Sequence, residues 1–457
     1  MSHWRRISQL RLGSRPREAS AEEPRRRSAD PIEPSNRRPN ISVADKYTRS
    51  IDRERDSAGK HDWDKLAERL RDRGQFVWFR EIEADLGEGR VRVRGTGEML
   101  MLSGYSYLGL NARPEIAEAC EKAMFFYGTG THGSRWLAGH TSLHEELESM
   151  LAARHDREDA VLFGSGYAAN TATLSALLAR TDTVFTDRMN HASIIDGCRF
   201  SGARVRRFRH CDYQHLDKML SQTMGTKLVA IDGVFSMSGS IAPLPEIAAV
   251  CRRHDATLMV DECHSHFVLG GGRGTAAHYG LASDRIDVEM GTLSKAIPSS
   301  GGYIAASAEI CTRLRRSARS FVYSGSPPPV VVAASIAALR ILENELPVLL
   351  DRLRINKRIF TRALSEAGVD FADHPTPIVP IKVGPAMVAA AAASHCHARG
   401  LFIHPVFPPV VETGKSILRV GVMASHDPHE LRSAAFVIAE AIDRAREEIS
   451  REEAISV

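Results

Sequence analysis

Two periods alternate along the chain. Leu66 and Leu70, with charged residues between them, have helical spacing, and the pattern predicts a helix from about Trp63. At Arg90-Val-Arg-Val-Arg94 the period changes to two, and Gly95-Thr-Gly97 interrupts the run, which predicts a small β-hairpin over residues 90–102. Short apolar runs at residues 160–163, 183–187, 228–232, 257–261 and 287–291 then predict strands. Helical patterns separate them, among them residues 171–178 and residues 244–254, where Ile247, Val250 and Cys251 share one face. Such alternation predicts a parallel α/β sheet with helices on both faces. Ser142-Leu-His-Glu145 has the spacing of a capping box and predicts a helix running to Ala153. Beyond residue 340 the chain reads as helical, then as short strands near residues 378–383 and 417–422, a smaller C-terminal α/β portion.

Composition changes this picture mainly at one end. Residues 1–60 are rich in Arg, Ser, Pro and Glu, with Arg25-Arg-Arg27 and Arg37-Arg38 as local runs, and are expected to be a disordered basic tail. The first twenty residues also have the flavour of a cleaved presequence, against which Glu22, Glu23, Asp30 and Glu33 count. The remainder divides into a helix-and-hairpin segment at 61–112, a large domain at 113–340 and a small one at 341–457. A net charge of +4 on 457 residues gives no reason to expect a nucleic-acid partner. Seven cysteines, an odd number with no C-x-x-C spacing, read as reduced thiols of a cytoplasmic protein. No apolar run is long enough to cross a membrane; residues 330–339 are expected to be a buried helix.

Candidate chemistry gathers at strand ends. Lys295, in Met290-Gly-Thr-Leu-Ser-Lys295, follows one predicted strand, and Asp261 closes another. A lysine whose surroundings lower its pKa can form a Schiff base with a carbonyl cofactor. A carboxylate nearby is what pyridoxal phosphate needs to keep its ring nitrogen protonated. Ligands of such sheets bind at the carboxyl ends of the strands. Phe163-Gly-Ser-Gly-Tyr167-Ala-Ala-Asn170 joins a strand to a helix and would offer N–H groups to a phosphate, with Thr292, Ser294 and Tyr323-Ser-Gly-Ser326 adding donors. His191 by itself reads as the cap of a helix starting at Ala192. Arg419 lies inside a short apolar strand and should have an anionic partner, for which a substrate carboxylate is a good choice. No metal site is expected: His140, His144 and His395-Cys-His397 lack further ligands at metal spacing and read as surface histidines. Gly270-Gly-Gly-Arg-Gly274 lacks G-x-G-x-x-G spacing and reads as a flexible turn.

Over about residues 95–430 these segments, in this order, resemble the α-oxoamine synthase family of pyridoxal-phosphate enzymes. The likeness rests on Tyr105-Ser-Tyr-Leu-Gly109, Asn190-His-Ala-Ser-Ile-Ile-Asp-Gly197, Asp232-Gly-Val-Phe-Ser236 with its continuation to Leu244, and Val260-Asp-Glu-Cys-His264. It continues through Gly272-Arg-Gly-Thr275 and Gly291-Thr-Leu-Ser-Lys295 to Tyr323-Ser-Gly-Ser-Pro-Pro328. The resemblance implies pyridoxal-phosphate fold type I, aspartate aminotransferase-like, with the cofactor held by the large domain. By the same resemblance Lys295 carries the cofactor and moves the α-proton, Asp261 pairs with the ring nitrogen, His264 with the ring hydroxyl, and His191 stacks on the ring. Gly166, Tyr167, Thr292 and Ser294 would hold the phosphate, with Ser324 and Gly325 reaching in from a partner subunit. Ser236 lies in the cofactor-side loop, Arg419 binds the amino-acid carboxylate, and Tyr105 and Ser106 stand on the substrate side.

The implied activity is decarboxylative condensation of serine, glycine or alanine with an acyl thioester, carried by coenzyme A or an acyl-carrier protein, to an α-amino ketone. Tyr105-Ser-Tyr107, Gly130-Thr-His-Gly-Ser-Arg135 and the step from Lys295 to Gly302 look closest to serine palmitoyltransferase, an enzyme of sphingolipid synthesis. Ser106, where that subgroup has asparagine, and His266, where a smaller or apolar residue is usual, depart from it. 8-Amino-7-oxononanoate synthase is the alternative. An aminotransferase of the same fold fits the continuous matches at residues 190–197 and 232–244 less well, and a silent partner subunit would lack the lysine. A homodimer with shared active sites is expected, and the tail arginines could draw an acidic carrier protein or an anionic membrane surface.

Overall fold

The structure, a computed structural model, describes residues 57–408 and 410–455. The expected tail at 1–60 falls almost entirely outside them. Residues 63–457 form one compact unit. The helix expected near Trp63 is Ser57–Asp72, with Leu70 buried.

β1 (Ile82–Gly87), β2 (Arg90–Val93) and β3 (Gly97–Met101) form an antiparallel meander, so the expected hairpin has a third strand. Seven strands then build the main sheet: β4 (Asp159–Phe163), β5 (Thr183–Asp187), β6 (Arg204–Phe208), β7 (Lys227–Asp232), β8 (Thr257–Asp261), β9 (Val288–Thr292) and β10 (Gly302–Ala306). Their order is β4-β10-β9-β8-β7-β5-β6. Strands β5 to β9 pair in parallel, whereas β10 runs antiparallel to both β9 and β4, so the sheet is mostly rather than wholly parallel. Both faces are covered. Adjacent residues Tyr303 and Ile304 of β10 enter different apolar clusters, which is why the central strands read as unbroken apolar runs.

The helix Leu244–Arg253 buries Ile247, Val250 and Cys251 as the periodicity predicts. The expected buried helix at 330–339 is the start of a far longer one, Pro329–Glu366, which places Leu339, Leu342, Leu346, Leu353 and Phe360 in the core. The expected division at residue 340 falls inside it. β11 (Ile378–Gly384), β13 (His404–Val406) and β14 (Ser416–Gly421) form a small antiparallel sheet in the order β11-β14-β13. β12 (Leu401–Phe402) instead joins β3 in parallel. Helices Ala386–Ala398 and Pro428–Ile455 complete this end.

Three local expectations need correction. Thr141, not Ser142, caps the helix Ser142–Arg154: His144 Nδ1 takes the Thr141 N–H at 3.1 Å and lies 2.8 Å from Thr141 Oγ1, so an imidazole replaces the expected Glu145. His144 is accordingly fully buried, with Nε2 3.0 Å from the Pro327 carbonyl, rather than on the surface. Cys396 and His397 are buried too, on the inner side of their helix, where His397 Nε2 meets the Ile403 carbonyl at 2.9 Å. All seven cysteines are free. Among the described residues no helix is long and apolar enough to cross a membrane.

Candidate active site

Parallel pairing brings the ends of β7, β8 and β9 level, and the site is built on them. Asp232 and Asp261 are register partners, and Asp261 is in turn opposite Met290. Lys295 follows β9 through the bend that begins at Leu293. Two carboxylates side by side cannot both be charged cheaply. Burial and the neighbouring Asp261 both push Asp232 well above the usual carboxylate range. Its Oδ2 accepts the His191 N–H at 2.9 Å, and its own N–H goes to Asn190 Oδ1 at 3.0 Å.

Asp261 is held from two sides. Oδ1 accepts the Cys263 N–H at 3.0 Å, and Oδ2 accepts Asn170 Nδ2 at 2.7 Å. Burial works to lower the Lys295 pKa, but the Cys263 and Asp261 side chains and the tyrosines Tyr107 and Tyr105 outweigh it, so the amine is held above the ordinary lysine value. The sequence-based expectation of a lowered pKa is therefore not met. Asp261 is among the groups that raise it, and a carboxylate paired to another cation exerts less pull.

Lys295 Nζ lies 6.0 Å from the Tyr105 ring centroid and the Arg419 guanidinium 4.7 Å from it, so both cations border one aromatic ring. Arg419 is buried in β14, yet among the described residues it has no carboxylate partner: Nε donates to the Ser236 carbonyl at 2.7 Å and Nη2 to Tyr107 Oη at 3.4 Å. None of the described residues supplies the anionic partner expected for it. Ser236 contributes its carbonyl, not its hydroxyl. Because a guanidinium only donates, Tyr107 gives its own proton onward to His264 Nδ1, 2.7 Å away. The His264 proton then sits on Nε2. Burial, Lys295 and Arg419 together hold this imidazole well below its ordinary pKa, and so neutral.

His191 fulfils the capping role read from its sequence, since its Nδ1 accepts the Ser193 N–H at the start of the helix Ala192–Ser201. It also borders Asp261 and Lys295, which pull its pKa up and down respectively, although burial lowers it most. At the other end of the site, Ser165 caps the helix Gly166–Leu177, with its Oγ accepting the Ala168 N–H at 3.0 Å. Thr292 Oγ1 and Ser294 Oγ lie 2.9 Å apart beside it. A Cβ at Gly166 would stand 3.4 Å from Thr292 Oγ1, and one at Gly302 would stand 2.6 Å from the Gly166 nitrogen. Helix start and hydroxyl pair thus pack side by side, the arrangement of N–H and hydroxyl groups that suits a phosphate. Tyr167 turns its hydroxyl to Asp196.

Not every expected residue joins this cluster. Ser106 gives its hydroxyl to Asn111 Oδ1 at 2.5 Å. Ser324 and Gly325 lie in an exposed loop fixed through Ser326, which donates to the Gly133 carbonyl; a Cβ at Gly325 would meet nothing within 4 Å. Asn170 and Tyr107, which contact Asp261 and His264, were quoted in motifs without being given roles. A second buried cluster, His155, His266 and Glu289, has the residue types of a metal site. Its two imidazoles stack 3.8 Å apart at 21°, so their in-plane lone pairs run side by side rather than converge on an ion.

A cradle of donors for a phosphate, a carboxylate braced by two N–H groups, a neutral histidine offering Nε2–H and a half-buried lysine suit a flat phosphorylated carbonyl cofactor. Comparison with known proteins agrees. Residues 97–438 match the family "Aminotransferase class I and II". The 8-amino-7-oxononanoate synthase of Citrifermentans bemidjiense is 43% identical over 375 residues, 81% of this chain and 95% of that protein. A structure of serine palmitoyltransferase with pyridoxal phosphate is 31% identical with a TM-score of 0.81, over 86% of this chain and 99% of that one. An 8-amino-7-oxononanoate synthase from Francisella tularensis is 25% identical with a TM-score of 0.65, over 76% and 98%. The chain therefore belongs to the class I and II aminotransferase family and, within it, is a pyridoxal-phosphate-dependent acyltransferase of the α-oxoamine synthase type.

Proposed function

We propose that this chain condenses alanine with the thioester of a seven-carbon dicarboxylic acid, with loss of carbon dioxide and the thiol, as an 8-amino-7-oxononanoate synthase. The single observation that carries this reading is the 43% identity to such an enzyme along 95% of its length. The named product has nine carbons; alanine stripped of its carboxylate provides C8, C9 and the amine, and the acyl group provides the other seven. This favours the alternative over the serine palmitoyltransferase pattern suggested by Tyr105-Ser-Tyr107. The higher TM-score of serine palmitoyltransferase, 0.81 against 0.65, supports the second reading. Both enzymes share the fold, so backbone likeness weighs less on substrate choice than sequence does.

Pyridoxal phosphate, when bound, supplies an electron-withdrawing ring that spreads the electron pair left at the amino-acid α-carbon. Residues Gly166, Thr292 and Ser294 would hold its phosphate, Asp261 would pair with its ring nitrogen and His264 Nε2–H would meet its hydroxyl. Tyr167 and Ser236 border it. Arg419 takes the amino-acid carboxylate, for which it has both spare N–H groups and no internal rival. Two groups so fixed set the angle of the α-carbon bonds. Lys295, beside Tyr105, removes the α-proton as general base. His191, at the helix start, would cover the ring and donate from Nε2 to the substrate carboxylate or carbonyl oxygen. Trp136 and Leu137 are exposed in the segment whose Gly133 carbonyl holds Ser326, and we assign this apolar surface to a homodimer in which the loop carrying Ser324 and Gly325 enters the partner's phosphate site.

The test is a panel of alanine, serine and glycine against dicarboxylic and palmitoyl thioesters, on coenzyme A and on a carrier protein, with product mass as readout. Alanine with the dicarboxylic thioester should dominate. Dominance of serine with palmitoyl thioester would restore the second reading.

A further inference from the structure

Asn170 is buried at 1% exposure, one helical turn beyond Gly166 on the same helix. One hydrogen of its amide goes to Asp261 Oδ2 at 2.7 Å and the other to Ser193 Oγ at 2.9 Å. Turning the amide over would set Oδ1 against the carboxylate, so the charge of Asp261 fixes its orientation. That orientation has a cost: Oδ1 is left buried with no partner. An asparagine that served packing alone would have no reason to bear it.

Ser193, also 1% exposed, carries the connection onward. Its oxygen accepts from Asn170, which leaves its proton for His191 Nδ1 at 2.7 Å. The backbone N–H of Ser193 reaches the same nitrogen at 3.3 Å. Nδ1 is therefore an acceptor, and the imidazole proton is on Nε2, directed away from the helix. The two helices must lie close for this to happen. A Cβ at Gly197 would come within 3.0 Å of the Asn170 carbonyl and 2.8 Å of Leu174 Cδ1, so glycine there permits the approach.

We infer that Asn170 is a positioning residue that clamps Asp261 and, through Ser193, sets the His191 imidazole in the same frame. The group beneath the ring nitrogen and the group over the ring face are thereby fixed relative to each other. Because the helix that carries the clamp also starts at the phosphate cradle, that one helix is tied to all three points of cofactor contact. The inference rests on the assignment of Asp261 and His191 under the proposed function.

The test measures equilibrium binding of pyridoxal phosphate by dialysis, alongside steady-state kinetics of the holoenzyme. Asn170→Ala should weaken cofactor binding about tenfold, the scale of one hydrogen bond to a charged group. Asn170→Asp keeps the shape but sets a second carboxylate against Asp261, and should weaken binding further. In an Asp261→Asn background Asn170→Ala should have little additional effect, since the clamp acts through that carboxylate. Ser193→Ala should leave cofactor affinity near wild type and raise the amino-acid KM several-fold more than it lowers kcat. Circular dichroism of the cofactor-free variants checks that each folds. Wild-type cofactor affinity in both Asn170 variants, or an equal loss in the two backgrounds, would overturn the inference. Failure of the wild-type protein to bind the cofactor would instead overturn the proposed function.

Discussion

Arg419 shows how one residue's surroundings dictate a test. Its guanidinium is buried among a carbonyl, a phenol and an aromatic face, with no carboxylate among the described residues to balance it. Such a charge is tolerated where a ligand completes it. Arg419→Leu should raise the amino-acid KM by about tenfold to a hundredfold, with a much smaller change in the thioester KM. Equal effects on both substrates would mean the arginine is structural. Glu262 poses a different problem. It is fully enclosed and accepts from Thr275 N and Thr275 Oγ1, yet burial pushes its carboxyl up to about 7. Below pH about 4.5 it is protonated in both states and makes no difference. Between there and about 7 the folded chain holds a proton that the unfolded chain has released, so stability falls as pH rises. Above that the full cost persists. Glu262→Gln should therefore gain on wild type from pH 5 to 7 and then level off, by up to about 3 kcal/mol. Urea unfolding of the cofactor-free proteins at intervals from pH 5 to 8 reads this directly; parallel curves would remove Glu262 as the cause.

Among elements, β10 packs against the phosphate cradle through Gly302 and is not legible in the sequence. The glycines Gly301-Gly302 at its start hide a strand only five residues long. Its antiparallel place between β9 and β4 depends on partners distant in sequence, which periodicity does not report. β6 was missed for another reason: Arg204-Val-Arg-Arg-Phe208 looks like solvated surface, and it is an edge strand whose arginines discourage further pairing. By contrast β5, β7 and β8 were legible because burial on both faces makes them continuous apolar runs. The same division holds in the site. Lys295 and Asp261 could be read from strand ends, whereas Asn170 meets Asp261 across 91 residues and Tyr107 meets His264 across 157, contacts only the fold reveals. β10 also yields a prediction. A Cβ at Gly302 would stand 2.6 Å from the Gly166 nitrogen and Cα and from the Ser165 carbonyl, all backbone. Gly302→Ala must push the strand away from the phosphate cradle, at a stability cost of about 1–3 kcal/mol. Cofactor affinity should fall with it. A variant that melts lower but binds pyridoxal phosphate normally would detach the cradle from β10.

For the whole molecule, the open question is whether one chain holds a complete site. The cluster around Lys295 lacks Ser106, which turns to Asn111, and the pair Ser324 and Gly325, which their own chain leaves in an exposed loop. Gly325 is the informative position. A Cβ there meets nothing within 4 Å, so Gly325→Glu costs a single chain nothing in packing. In a dimer with the loop inserted into the neighbouring phosphate site, the same substitution places a carboxylate where the phosphate binds. Gly325→Glu should then be inactive, as should Lys295→Ala, which removes the general base. Mixing the two inactive proteins in equal amounts separates the possibilities. With exchange between isologous dimers, half the dimers are mixed, and each has one site with both its lysine and its loop intact, so about a quarter of wild-type activity should return. A loop that serves only its own chain leaves every site defective, and no activity returns. Sedimentation of the wild-type protein, with Leu137→Asp as the variant meant to disrupt the apolar surface, establishes that the mixing experiment reports on dimers. Recovery that appears without dimers, or dimers that exchange without recovery, would refute the shared site.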